Sequence, residues 1–216
     1  MNTNHLERIT ARKIVPVVVL DKAEHAEPLA EALLAGGLDV MEVTFRTAAA
    51  PEAIRRIAKR FPEMLLGAGT LLHPEQVRQA REEGAVFGLA PGLNEAVVQE
   101  AIDLEMAFTP GVMTPSEIDR AIQFGCRILK FFPAENAGGA KMLAAQAAPF
   151  AHTGVRFIPT GGITAGNLAE YLHLPIVAAI GGSWMVERKL IASGDFAEVT
   201  RRTKEALAAA AAAAGR

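Results

Sequence analysis

Residues 13–37 read KIVPVVVLDKAEHAEPLAEALLAGG. After Lys13 the first seven positions are apolar and rich in branched residues, the composition of a strand buried on both faces. The remainder changes to a helical period. Ala26, Leu29, Ala30, Leu33 and Leu34 fall on one stripe, and the stripe stops at Gly36-Gly37, where glycine can end a helix. Strand, turn, helix and stop make one βα unit, and the question is how often it repeats.

It recurs along the whole chain. Strand-like runs follow at 38–45 (LDVMEVTF), 64–70 (MLLGAGT), 85–91 (AVFGLAP), 106–111 (MAFTPG), 127–132 (RILKFF), 155–160 (VRFIPT) and 176–182 (IVAAIGG). Between them lie helical patterns. TAAAPEAIRRIAKRFP places Pro51 in a first turn and sets Ala53, Ile54, Ile57 and Ala58 beneath a basic face. HPEQVRQAREEGA and TPSEIDRAIQFG each open near a proline and close near a glycine. Eight strands alternating with helices predict a parallel α/β protein, and eight is the number that closes as a (β/α)8 TIM barrel. A doubly wound open sheet is the alternative, but no G-x-G-x-x-G follows the first strand.

A chain of 216 residues, half of them hydrophobic, is expected to fold as one barrel domain over 1–216, with a lead-in at 1–12 and an alanine-rich helix or tail at 206–216. Lys and Arg number 22 against 24 Asp and Glu, a formal net charge of -2, with no basic cluster interleaved with aromatics. A nucleic-acid partner is therefore not expected. The opening MNTNHLERIT lacks a signal peptide's apolar core, and no apolar run reaches the ~20 residues of a membrane span, so the expected place is the cytoplasm, with no membrane partner. Cys126 is the single cysteine and reads as core filling. His5, His25, His73, His152 and His173 are scattered without metal-ligand spacing, and neither a metal nor another cofactor is expected.

In such a barrel the chemistry sits where strands run out. Strand two ends EVTFR, and alternation puts Glu42, Thr44 and Arg46 on one face, pointing inward. Strand six carries Lys130 on the face shared by Ile128 and Phe132. An inward lysine beside an inward glutamate is either a structural ion pair or a site, and buried pairs are weakly justified by stability alone. As a site it has a definite chemistry: a deprotonated lysine amine adds to a carbonyl carbon, and the resulting iminium withdraws electrons from a neighbouring bond. Strand three ends at GAGT with Thr70, and strand four ends at APG with Pro91. The last two strands end in IPTGGIT and AIGGSW. Glycine pairs are either tight connections or exposed amides, and after strands seven and eight they favour phosphate.

The ordered set MEVTFRT, GAGT, PGL, KFFPAE, PTGGI and IGGSW resembles the 2-keto-3-deoxy-6-phosphogluconate (KDPG) and 4-hydroxy-2-oxoglutarate (KHG) aldolase family over most of the chain. The resemblance implies a metal-free class I aldolase in a homotrimer, cleaving KDPG to pyruvate and glyceraldehyde 3-phosphate and also cleaving KHG. It places the imine-forming lysine at Lys130 and the proton-transferring carboxylate at Glu42. Arg46 and Thr70 fall at binders of the pyruvate portion, Pro91 and Phe132 line the pocket, and Thr160, Gly161, Gly162, Gly182 and Ser183 lie on the phosphate side. The competing readings are an aldolase for the galactonate epimer, a barrel that only binds sugar phosphate, and an isomerase with Glu42 as base.

Overall fold

The computed structural model describes residues 3–214. Positions 1, 2, 215 and 216, which belong to the lead-in and the tail, lie outside the described residues. The strands are β1 (Ile14–Val18), β2 (Val40–Thr44), β3 (Leu65–Gly69), β4 (Phe87–Leu89), β5 (Ala107–Thr109), β6 (Gly111–Val112), β7 (Ile128–Phe131), β8 (Arg156–Pro159) and β9 (Ile180–Gly182). The helices are α1 (Thr3–Arg12), α2 (Ala26–Ala35), α3 (Ala50–Arg60), α4 (Pro74–Glu82), α5 (Glu95–Asp103), α6 (Pro115–Gln123), α7 (Gly139–Ala147), α8 (Leu168–Leu172), α9 (Arg188–Ser193) and α10 (Phe196–Ala214).

The expected alternation holds, with every strand pair parallel. Six strands form one sheet in the order β5-β4-β3-β2-β1-β9, curled into a half-barrel, and β6-β7-β8 form a second. The fifth predicted strand is divided because Pro110, which has no N–H to give to a ladder, separates β5 from β6. The eighth is shorter than its apolar run, with Val177 making only an isolated bridge to Phe157 before β9 begins at Ile180. A further isolated bridge joins Thr160 to Gly181. What stands is a parallel α/β architecture with two sheets, where one ladder of eight strands was expected.

The predicted helix boundaries follow from local chemistry. The α6 start is a reciprocal cap: the Glu117 carboxylate accepts the Met113 and Thr114 N–H groups, each at 2.8 Å, while the Thr114 hydroxyl accepts the Glu117 N–H. In the lead-in, α1 sets Arg8 and Arg12 against Asp39, the residue just before β2, so this helix lies over the N-terminal edge of the sheet. That leaves the opposite edge open for a site.

Packing is tightest where small and large residues alternate. A methyl group on Gly67 would fall 2.2 Å from the buried Phe87 ring, and one on Gly88 would fall 2.8 Å from Phe108. The alanine-rich tail is a packed helix. Val199, Thr203, Ala206, Ala210 and Ala213 form its buried stripe, and α10 lies against α2 and α8. This packing extends through Ala213. Gly36 touches α10 so closely that an added Cβ would lie 2.6 Å from the Cβ and Cγ2 of Thr203. Gly36→Ala is expected to cost about 1–3 kcal/mol by forcing these helices apart. Thermal or urea unfolding checks this, and an unchanged midpoint would show that the contact yields freely.

Candidate active site

Burial of charge marks the site. Glu42 is 1 % exposed and Lys130 is 2 % exposed, and the other buried polar side chains among the described residues are uncharged threonines. The parity expected of them is met: the Lys130 Nζ lies 3.5 Å from Glu42 Oε1 across the interior, from β7 to β2. Each comes from a central position in its ladder. Glu42 lies between Val17 and Gly67, and Lys130 between Gly111 and Ile158.

Oε1 of Glu42 makes no aligned hydrogen bond, so the lysine contact is an ion pair at van der Waals range rather than a locked bond. Two other groups define the surroundings. Gly69 supplies space for the carboxylate, since a methyl there would come within 1.7 Å of Oε1. The ammonium stands 5.6 Å from the centre of the Phe132 ring, within reach of a cation–π attraction.

Above the pair, at the C-terminal ends of the strands, is a small cavity of about 130 Å³. Arg46, Phe132, Thr160, Gly161, Gly162, Gly182 and Ser183, all candidate residues from the sequence, line it together with Val17 and Ile163. Sequence reasoning missed those last two because an apolar residue in a strand or after a glycine turn carries no chemical signal. Alternation did not place Arg46 as expected. β2 ends at Thr44, and Arg46 stands exposed in the following turn, where strand parity no longer governs direction. It reaches the cavity by another constraint: its Nε donates to the Thr70 hydroxyl at 3.0 Å. Thr70 itself has φ 57, an unfavourable conformation for a β-branched residue, of the kind retained at functional sites. Pro91 is not on the cavity wall. Its carbonyl packs against Gly111, the residue paired with Lys130, so it touches the site through that strand.

The glycine turn after β8 is the most specialised backbone here. Gly161 and Gly162 take φ values of 100 and 79, closed to other residues without strain. Among the described residues the N–H groups of Gly162 and Ile163 meet no backbone acceptor. A concave turn with free amides is suited to an anion. Elsewhere Cys126 is fully buried, and burial pushes its thiol up to about 11, so it is inert packing as expected. Among the described residues no three His, Cys, Asp or Glu side chains cluster as metal ligands, and no helix is long and apolar enough to cross a membrane.

Comparison with known proteins gives this geometry a context. A family model for KDPG and KHG aldolase matches residues 6–202. The chain is 48% identical over 202 residues to 2-dehydro-3-deoxy-phosphogluconate aldolase of Treponema pallidum, covering 94% of each protein. It is 46% identical to the KHG/KDPG aldolase of Escherichia coli K12, covering 92% of each. Among solved structures, a KDPG aldolase from Legionella pneumophila holding pyruvate as a covalent carbinolamine superposes with a TM-score of 0.88 at 39% identity, over 93% of this chain and 96% of that one. A Zymomonas mobilis KDPG aldolase with 3-phosphoglycerate gives 0.86 at 40% identity, over 95% and 94%.

The ion pair has a testable energetic consequence. Lys130→Met leaves a buried carboxylate uncompensated and is expected to cost about 3 kcal/mol, while adding Glu42→Gln should recover most of it. Denaturant unfolding of the two single variants and the double variant measures this. Additive losses would show that the two groups do not interact.

Proposed function

This chain belongs to the KDPG and KHG aldolase family, and on that premise we propose the catalytic roles of its site residues. The protein is a metal-independent class I aldolase. Its reaction cleaves 2-keto-3-deoxy-6-phosphogluconate to pyruvate and glyceraldehyde 3-phosphate, and it also splits 4-hydroxy-2-oxoglutarate to pyruvate and glyoxylate. The observation that carries the assignment of roles is the buried lysine 3.5 Å from a buried glutamate, beneath a cavity that has an arginine and free amides at its rim.

The Lys130 amine adds to the C2 ketone, and loss of water from the carbinolamine leaves an iminium. Electrons of the C3–C4 bond flow into that iminium as the bond breaks. Glu42 takes the C4 hydroxyl proton, directly or through a water, and the aldehyde leaves. The same carboxyl group then returns a proton to C3 of the enamine, and hydrolysis releases pyruvate and restores the amine. Glu42 suits both halves of the cycle because its Oε1 has no competing hydrogen bond. Arg46, steadied by Thr70, binds the substrate carboxylate by a charge-assisted contact. Phe132 shapes the wall beside the imine, and Pro91 fixes the strand behind it. Thr160, Gly161, Gly162, Gly182 and Ser183 take the phosphate, whose binding energy orients carbons that react some distance away.

The same reading extends to architecture and setting. We take the two sheets as one closed eight-stranded barrel, supported by the direct chain passage from β5 to β6 through Pro110 and by the bridges Phe157 to Val177 and Thr160 to Gly181. One domain, a homotrimeric assembly and a cytoplasmic location complete the proposal.

Sodium borohydride added with pyruvate should reduce the imine and leave a stable adduct on Lys130, located by peptide mass mapping. An active preparation with no adduct would defeat the imine mechanism. Glu42→Gln keeps shape while losing the proton acceptor, and kcat is expected to fall about 10²–10⁴-fold; turnover equal to wild type would make Glu42 structural. Ser183→Ala should raise KM for KDPG well above any change seen with 4-hydroxy-2-oxoglutarate. Equal effects on both substrates would contradict the phosphate assignment.

A further inference from the structure

The amides of the Gly161-Gly162 turn can serve an anion only if their direction is fixed, and nothing in a glycine pair fixes it. Two carbonyls of this turn are held from outside the cavity. Gly161 O accepts the Glu135 N–H at 3.1 Å, and Gly162 O accepts the Asn167 Nδ2 at 3.1 Å. Asn167 is oriented for this task, because its Oδ1 already accepts the Thr164 N–H at 2.7 Å and only the amide nitrogen remains to donate. Across a trans peptide the carbonyl and the following N–H point in opposite directions. Holding Gly161 O and Gly162 O therefore turns the N–H groups of Gly162 and Ile163 the other way, and both residues line the cavity while Glu135 and Asn167 do not.

Glu135 is itself held. Its carboxylate accepts the hydroxyl proton of Tyr171, a fully buried side chain, and its Cβ and Cγ fill the space where a Gly162 side chain would stand, 2.6 Å away. Asn167 and Tyr171 both come from α8, one as its N-cap and the other one turn later. A carboxylate next to an anion site would repel the ligand if it swung inward, and the buried phenol keeps it out. Burial and the Glu135 carboxylate raise the phenol's pKa well above its ordinary value, so it remains a donor.

We infer that Asn167 and Tyr171, acting through Gly162 and Glu135, are positioning residues that aim two backbone amides at the substrate's phosphate. This rests on the phosphate reading of the glycine turn given above. A purely structural role would make Asn167 a helix cap and Tyr171 a core filler, with no preference among substrates.

Asn167→Asp separates the two, since the carboxylate keeps the acceptor for Thr164 but loses the donor to Gly162. Tyr171→Phe removes only the hydroxyl. Each variant is expected to raise KM for KDPG about tenfold, the scale of one lost directed hydrogen bond. Each should also weaken competitive inhibition by inorganic phosphate. KM and kcat for 4-hydroxy-2-oxoglutarate, and borohydride trapping of pyruvate, should change far less. Glu135→Gln keeps an acceptor for Tyr171 and should stay nearer wild type than Glu135→Ala. Equal losses on both substrates, or no loss on either, would overturn the inference, and circular dichroism identifies a variant whose losses come from misfolding. If phosphate does not compete even with wild type, the anion site itself fails and this role fails with it. Competition in wild type that persists undiminished in both variants overturns the positioning role alone.

Discussion

An ammonium and a carboxylate held 3.5 Å apart inside a largely apolar sheet are the constraint around which the rest is arranged. Withdrawing two such ions from water costs several kcal/mol each, and their mutual attraction offsets this only in favourable geometry. The surroundings are built to that requirement. Gly69 stands against the carboxylate, where a side chain would displace it, and Phe132 offers the face of its ring to the ammonium. The large fully buried side chains, Phe87, Phe108, Phe131 and Phe157 among them, supply the hydrophobic stabilisation that allows the interior to carry the pair. A group that weakens the core is tolerated where chemistry requires it.

Parallel topology explains how residues so far apart in sequence meet. All strands run out on the same edge, so the turns after β2, β3, β8 and β9 converge there while Glu42 and Lys130 sit one level below. On the proposed roles, bond breaking falls in the dry interior and recognition at the wetter rim. Left-handed backbone conformations stand at the rim, in Thr70 and in the two glycines after β8.

Much of this was legible in the sequence, for reasons that differ by residue. Lys130 and Glu42 could be read because a period of two is strict inside a buried strand, where a slip of one position would turn a charge into the helix layer. The helix starts at Pro74 and Pro115 were legible because capping is local chemistry. Where alternation was extended past the strand it lost its warrant: Arg46 reaches the cavity through its bond to Thr70, a tertiary contact that no periodicity encodes. The split at Pro110 was visible as a proline, yet its effect on the ladder depends on which neighbour each half pairs with. Val17 and Ile163 are silent for a different reason, since they contribute shape only. Glu135, Asn167 and Tyr171 act on the site through bonds to a turn, and such relations exist only once the chain has folded.

On the proposed roles, the charge arrangement decides how a substrate anionic at both ends can be held. Lys130 and Glu42 cancel each other at rest, and among the described residues lining the cavity Arg46 is the only cation. One guanidinium can neutralise one end of the substrate, and its Nε is already committed to Thr70, which leaves its terminal N–H groups to bind. The other end must then be bound by neutral donors, which is the work that backbone amides and a serine hydroxyl can do. Neutral donors gain their strength from direction rather than from charge, so a phosphate site of this composition depends on the rigidity of its turn. A flexible lysine in that position would tolerate a loose backbone. Two glycines at positive φ do not, and this is why their carbonyls are tied from behind.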